Sequence, residues 1–280
     1  MVELRASHSI EQLVNFFPIC HTEDAGEVQI TNQAAAEDGS RTHSTFMDPK
    51  LYVAAADGAI HVLQQCVDIH AQLTPKKNTV LHVAAQFGQA GCVNRILELA
   101  SASSLLQQPN EKGDTPLHLA AREGHLTVVK NLIHAAKKLG EEDTERGAAA
   151  DWKEYPDFTY GANTEGNTPL YIAAEWGFGD LIQMILDNCS SPAHSGFKGR
   201  ATLHAAVLLN DQVMTKKIVE WKRALTNELD ENGWSPLHFA AYVGCHPTIV
   251  RQLLEQSDRD VVYLSVKDHG NRTALHIAAS

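Results

Sequence analysis

The side chains best suited to chemistry are the histidines, of which there are 15, and five of them recur in one local setting. His82, His118, His204, His238 and His276 each follow a leucine and precede an apolar residue and an alanine or valine-flanked alanine. An imidazole titrates near neutrality and can act as a general base or a metal ligand. Either role needs partners at a defined spacing, such as a His-Glu-x-x-His run that puts two imidazoles on one helix face. The chain has no such run, no Gly-x-Ser-x-Gly turn for a nucleophile and no phosphate-binding loop. Its five cysteines (Cys20, Cys66, Cys92, Cys189, Cys245) are odd in number and form no Cys-x-x-Cys pair. That argues against a disulfide framework and a structural zinc site, and for a reducing compartment. His21, His43 and His194 fall in loop-like stretches without an obvious partner. No catalytic, cofactor-binding or metal-ligating residue is assigned, and the chain is not expected to be an enzyme.

The recurrence itself carries more information. Thr115-Pro116-Leu117-His118-Leu119-Ala120-Ala121 is followed by Gly124, Thr168-Pro169-Leu170-Tyr171-Ile172-Ala173-Ala174 by Gly177, and Ser235-Pro236-Leu237-His238-Phe239-Ala240-Ala241 by Gly244. Weaker copies begin at Leu51, Thr79, Leu203 and Thr273. The equivalent leucines stand at 51, 81, 117, 170, 203, 237 and 275, so most steps lie near one length and one is much longer. Each copy reads as a short helix. Thr or Ser caps it, Pro occupies its first turn, and small alanines let a second helix approach. Gly124 ends one such helix where a left-handed residue is needed, and Asn210 can fill the same role because Asn tolerates that conformation. A second helix follows, with Leu126, Val128, Val129, Leu132 and Ile133 at helical spacing. Polar turns such as Asn110-Glu111-Lys112-Gly113 lead into the next copy. One copy cannot bury its apolar face alone, but stacked copies can.

This pattern resembles the ankyrin repeat, with its period of about 33 residues and its Thr-Pro-Leu-His-x-Ala signature. The resemblance covers roughly residues 47 to 280 and implies an all-α solenoid of paired antiparallel helices joined by turn or hairpin loops. Repeats start near 48, 78, 114, 167, 200, 234 and 272: about six are full, and the last is incomplete. It implies a structural role for the repeated histidine, bonding turn backbone and joining neighbours. It also implies a hand-like binding surface. The residues before each helix-ending position form its palm: Gln86-Phe87, Arg122-Glu123, Glu175-Trp176, Leu208-Leu209 and Tyr242-Val243. The turn tips form its fingers: Lys76, Lys77, Glu111, Lys112, Asp114, Glu165, Asn167, Phe197, Arg200, Glu231, Asn232 and Trp234. Phe87, Trp176, Leu209 and Tyr242 make the palm apolar in four of five repeats, which suits a buried hot spot. The alternative is that these side chains fold back and complete the packing.

The long step holds an insertion near 137–162 with Trp152, Tyr155, Phe158 and Tyr160, read as a surface loop or as an ordered flap on the repeats. Residues 1–46 carry seven acids and two bases and show no repeat. There Ile10, Leu13, Val14 and Phe17 follow Ser9 at helical spacing, suiting a short cap for the first repeat or a docking peptide. The net charge of −11 and the absence of a dense basic run argue against nucleic acid as a ligand and leave a protein as the expected partner. No secretory signal and no long apolar stretch is present, so this chain is not expected to enter a membrane. Gly199–Val207, Gly233–Tyr242, Gly166–Ala174, the Asp48-Pro49 start and the mid-array insertion are similar to one branch, the plant ankyrin-transmembrane proteins of the accelerated-cell-death type. Those have a membrane domain after the repeats and are linked to immune signalling. The resemblance implies a cytoplasmic regulatory region, on the inner side of the plasma membrane if a longer parent carries that domain. The stop at Ser280 within the last copy reads as a fragment. The alternative is a substrate-recruiting or scaffold part of an ankyrin-containing ubiquitin ligase or kinase.

Overall fold

The computed structural model describes residues 46–65, 69, 71–98, 102–145, 161–189, 191–266 and 270–280. The chain divides into Met1–His43 and Ser44–Ser280, and the described residues all lie in the second unit. The expected cap around Ile10 to Phe17 and the insertion aromatics Trp152, Tyr155, Phe158 and Tyr160 lie outside them.

Among the described residues the helices form two rows. The inner row is α1 (Pro49–Asp57), α3 (Val80–Gln86), α6 (Pro116–Arg122), α8 (Pro169–Glu175), α10 (Thr202–Leu208), α12 (Pro236–Val243) and α14 (Ala274–Ala278). The outer row is α2 (Ile60–Leu63), α4 (Ala90–Glu98), α7 (Leu126–Glu145), α9 (Gly179–Asn188), α11 (Gln212–Trp221) and α13 (Pro247–Gln256). Each inner helix from α1 to α12 packs on its own outer helix and on the next inner helix, and the outer helices pack in series. An additional short helix, α5 (Ala102–Gln107), packs between α4, α6 and α7 in the step of 36 residues. Two short strands, β1 (Ser265–Val266) and β2 (Arg272–Thr273), pair antiparallel ahead of α14. The helix α7 runs on to Glu145, so the first part of the stretch read as an insertion continues the outer helix.

The core lies between the rows. Leu81, Ala84 and Ala85 of α3 meet Cys92, Val93 and Ile96 of α4, and Val128, Val129, Leu132 and Ile133 of α7 do the same for α6. Each large aliphatic side chain buried this way contributes roughly 1.5–3 kcal/mol. Leu126 is exposed, because it opens α7 before that helix reaches the stack. Inner helices begin on a hydroxyl cap: the Oγ of Thr79, Thr168 and Ser235 accepts the backbone N–H of His82, Tyr171 and His238. They end in left-handed backbone, with φ of 71° at Gly124 and 56° at Asn210.

The recurring histidines join the repeats. The backbone N–H of Thr79, Thr115, Ala201 and Ser235 donates to Nδ1 of His82, His118, His204 and His238. The opposite nitrogen, Nε2, donates to a carbonyl at the start of the following repeat, Asp114 at 2.9 Å, Asn167 at 3.1 Å and Trp234 at 3.0 Å, or, for His238, in the segment that leads to it, Leu264 at 3.0 Å. An amide can only donate and a carbonyl can only accept, so each ring is held neutral with its proton on Nε2. Burial lowers the pKa of His82, His118 and His204 from 6.5 to about 4 and lowers that of His238 as well. A ring so buried and so engaged has no lone pair left for a metal or a substrate proton.

Two repeats carry tyrosine in place of this histidine, Tyr52 in the first and Tyr171 further along. At Tyr171 the link toward the next repeat passes instead through Thr168, whose N–H and Oγ1 both donate to the Ser195 carbonyl. The Tyr171 ring occupies the space beside Gly196, where a Cβ would lie 2.2 Å from ring carbons. Gly196 accordingly replaces the Asn or Asp (Asn110, Asn163, Asp230) that starts the equivalent turn elsewhere.

Candidate interaction surface

The turns are built from side chain to backbone. Asn110 Oδ1 accepts the N–H of Lys112 and Asp114, and its Nδ2 donates to Asn78 Oδ1 in the preceding turn. Asn163 repeats the arrangement with Glu165 and Asn167, donating back to Asp114 at 2.7 Å. Asp230 accepts from Asn232 and Trp234. Backbone bonds between successive tips, Glu111 to Lys76, Thr164 to Lys112 and Glu231 to Lys198, tie the fingers into one edge.

This architecture decides which tip residues face solvent. Lys76, Lys77, Glu111, Lys112, Glu165, Glu231 and Asn232 are exposed, and Phe197 is half-buried under Lys198. Four residues expected at the tips are instead buried: Asp114 is 0% exposed, Asn167 6%, Arg200 2% and Trp234 5%. They stand immediately before the helix cap, where the returning arm of the turn carries the side chain under its neighbour. Asp114 takes a bidentate pair from Arg122 at 3.0 and 3.2 Å. Burial alone would raise the Asp114 pKa, but the hydrogen bonds and charge of Arg122, with Asn163, bring it below the ordinary value. Asn167 accepts the Phe197 N–H, Arg200 lies 5.2 Å from the Phe239 ring centroid, and Trp234 packs on Phe239 and Tyr242. These four shape the surface from beneath and offer no contact area of their own.

The palm residues divide in a similar way. Leu208 is buried, while Gln86, Arg122, Glu175 and Val243 are half-buried. Burial raises the Glu175 pKa despite nearby Arg200. In four pairs the second member faces outward more: Phe87 is 45% exposed, Trp176 47% and Leu209 39%, and Glu123 is exposed too; in the fifth it is the first member, Tyr242, at 37%. Leu209 leans toward Gly177, next to Trp176, and Tyr242 stands edge-on to Trp234 at 5.6 Å. Tyr52 and Val53 of α1 are also exposed, with Tyr52 edge-on to Phe87 at 6.3 Å, and they lengthen the row. Sequence reasoning missed them because the first copy is divergent. The available signal was Tyr52 at the histidine position, where a side chain without the turn bonds need not be buried.

A separate groove of about 560 Å³ lies on the outer row, lined by Cys245, Pro247, Val250, Arg251, Leu254 and Glu255. Among the described residues, no group of three or more His, Cys, Asp or Glu side chains could hold a metal, and no helix is long and apolar enough to cross a membrane.

Two rows of short helices, joined by tied turns and presenting an aromatic edge, define a repeat solenoid of the protein-binding class. The chain belongs to the ankyrin-repeat family: residues 51–143 and 203–280 match the family model for ankyrin repeats in three copies, and 165–195 match that for the single ankyrin repeat. An ankyrin-repeat domain is a protein–protein interaction module rather than a catalytic fold. Among curated proteins it is 29% identical over 143 residues to the putative E3 ubiquitin-protein ligase XBAT31 of Arabidopsis thaliana, covering 50% of this chain and 29% of that one. It is 27% identical over 170 residues to protein ACCELERATED CELL DEATH 6 of the same plant, covering 58% of this chain and 24% of that one. The chain thus spans less than a third of the length of either relative. Among solved structures, the ankyrin repeat domain of Bcl-3 superposes with a TM-score of 0.62 at 22% identity, over 84% of this chain and 96% of that one, a likeness of fold alone.

Proposed function

We propose that this chain is a non-catalytic protein-binding region that captures its partner along the edge of the inner row, and that it serves a plant membrane-associated protein of defence or cell-death signalling. The observation that carries the binding reading is the solvent-facing series Phe87, Trp176, Leu209 and Tyr242 on a row whose other apolar residues are largely buried. Large apolar side chains held out of a rigid scaffold favour a partner that buries them. The exposed tips from Lys76 to Asn232 supply a polar rim beside the row. The signalling role is supported by the likeness to ACCELERATED CELL DEATH 6. A cytoplasmic position beneath the plasma membrane would follow from a membrane domain in a longer parent.

The test is capture from a plant lysate by the immobilised chain, with the partner identified and the complex rebuilt from purified components. Phe87→Ala, Trp176→Ala and Tyr242→Ala together should weaken the complex at least tenfold, with helical circular dichroism and melting temperature unchanged. Undiminished affinity would remove this edge as the contact surface. A second reading, recruitment of substrate to a ubiquitin ligase, draws on the likeness to XBAT31. It predicts that the captured partner becomes ubiquitinated when the parent protein is active.

A further inference from the structure

The chemistry of the partner follows from charge on the same row, resting on the reading of that row as the contact surface. The charged residues there are Asp57, Arg122, Glu123 and Glu175. Arg122 is held by both oxygens of buried Asp114, so its positive charge is matched from within the chain. Asp57 and Glu123 are exposed, Glu175 is half-buried with the Tyr171 hydroxyl donating to it and the charge of buried Arg200 nearby, and no base other than Arg122 stands among the palm positions. The row therefore combines apolar surface with negative charge in its first half, inside a chain of net charge −11. The lysines of the neighbourhood (Lys76, Lys77, Lys112, Lys198) sit at the turn tips, opposed there by Glu111, Glu165 and Glu231.

We propose that the row takes an extended basic segment of a partner protein, with apolar side chains seated on Phe87, Trp176, Leu209 and Tyr242 and Lys or Arg between them facing Glu123 and Glu175. Adjacent packed helices are about 10 Å apart, and an extended chain rises about 3.3 Å per residue, so one peptide position in every three meets a repeat. The order along the row is aromatic at α3, acidic at α6, acidic and aromatic at α8, aliphatic at α10 and aromatic at α12. A guanidinium over the exposed Trp176 face gains a further cation–π contribution. Complementary charge of this kind raises the association rate and excludes acidic competitors more than it deepens affinity.

The probes are fluorescein-labelled peptides of roughly 18 residues, long enough for the row at that rise. One has Leu or Phe at every third position with Arg between, a second replaces Arg by Glu, and a third keeps Arg but lacks the apolar anchors. Anisotropy with the full chain at physiological salt should show the first binding at least tenfold tighter than either other. Glu123→Gln with Glu175→Gln should weaken it several-fold, while Glu220→Gln with Glu255→Gln, on outer helices, should leave it unchanged. Equal binding of the Glu peptide, equal loss from the outer-helix pair, or no binding of the Arg peptide would each overturn the proposal. Loss of both peptides on Phe87→Ala with Trp176→Ala, without a charge preference, would overturn the basic partner and leave the contact surface standing. Indifference of every peptide to those aromatic changes would refute the surface itself.

Discussion

Lowering the pH from 7.5 to 5 should unfold this domain through its histidines. His82, His118 and His204 titrate near 6.5 when unfolded and at about 4 when folded, because burial disfavours the imidazolium and both ring nitrogens are already bonded in the neutral form. Their folded pKa values lie below the unfolded ones. Above about 6.5 both states are neutral and the full stability is present; below it the unfolded chain takes up protons that the folded one refuses. Each histidine then removes about 1.4 kcal/mol per pH unit between those limits, and three remove about 4. From pH 7.5 to 5 the loss is about 6 kcal/mol, comparable to the entire stability of many domains. His238 acts in the same direction. Glu175 and Asp230 oppose it, since their folded pKa values are raised and they gain protons first in the folded state. That gain is confined to the carboxylate range, as is the loss from Asp114 and Glu228, whose pKa values are lowered. Urea unfolding followed by circular dichroism across this pH series measures the slope directly. The His118→Gln variant, less stable at pH 7.5, should show a slope shallower by about a third. A change of less than about 1 kcal/mol from pH 7.5 to 5, against the slope expected from linkage, would refute the neutral, buried assignment of these rings.

Two further outcomes follow from packing. Gly196→Ala forces a methyl against the Tyr171 ring and should cost about 2 kcal/mol or more in thermal or urea unfolding, whereas the same change in a Tyr171→His background should cost less than half as much; additive costs would show that the two sites are not coupled. Burial pushes the Cys245 thiol up to about 11, so at pH 7.5 its alkylation, followed by mass spectrometry of its peptide, should run on the order of a hundredfold slower than in the urea-unfolded chain. Comparable rates in the two states would contradict its burial beneath α13 and its contact with the Val207 carbonyl.

The repeat count, the helix starts at Thr115, Thr168 and Ser235, the stop at Gly124 and even the substitute stop at Asn210 were legible in the amino-acid sequence. They are local: caps, proline at the first turn and left-handed backbone depend on residues within a few positions of one another. The recurrence also pointed to the outward palm residues Phe87, Trp176 and Leu209, which hold one position of the repeat, and to Tyr242 one position earlier in its own copy. What only the tertiary structure decided lies between copies. Asp114, Asn167, Arg200 and Trp234 occupy turn positions that read as exposed, yet each is covered by the neighbouring turn, by a residue eight positions on, or by the ring of Phe239. Leu208 looks like its neighbour Leu209 in sequence and differs from it only in facing the stack. The pairing of Tyr171 with Gly196 joins an inner helix to the turn that leads into the next repeat, and no local rule relates them. Burial is set by what the next repeat brings, and that depends on side chains roughly a full period away, beyond the reach of any helical or turn periodicity.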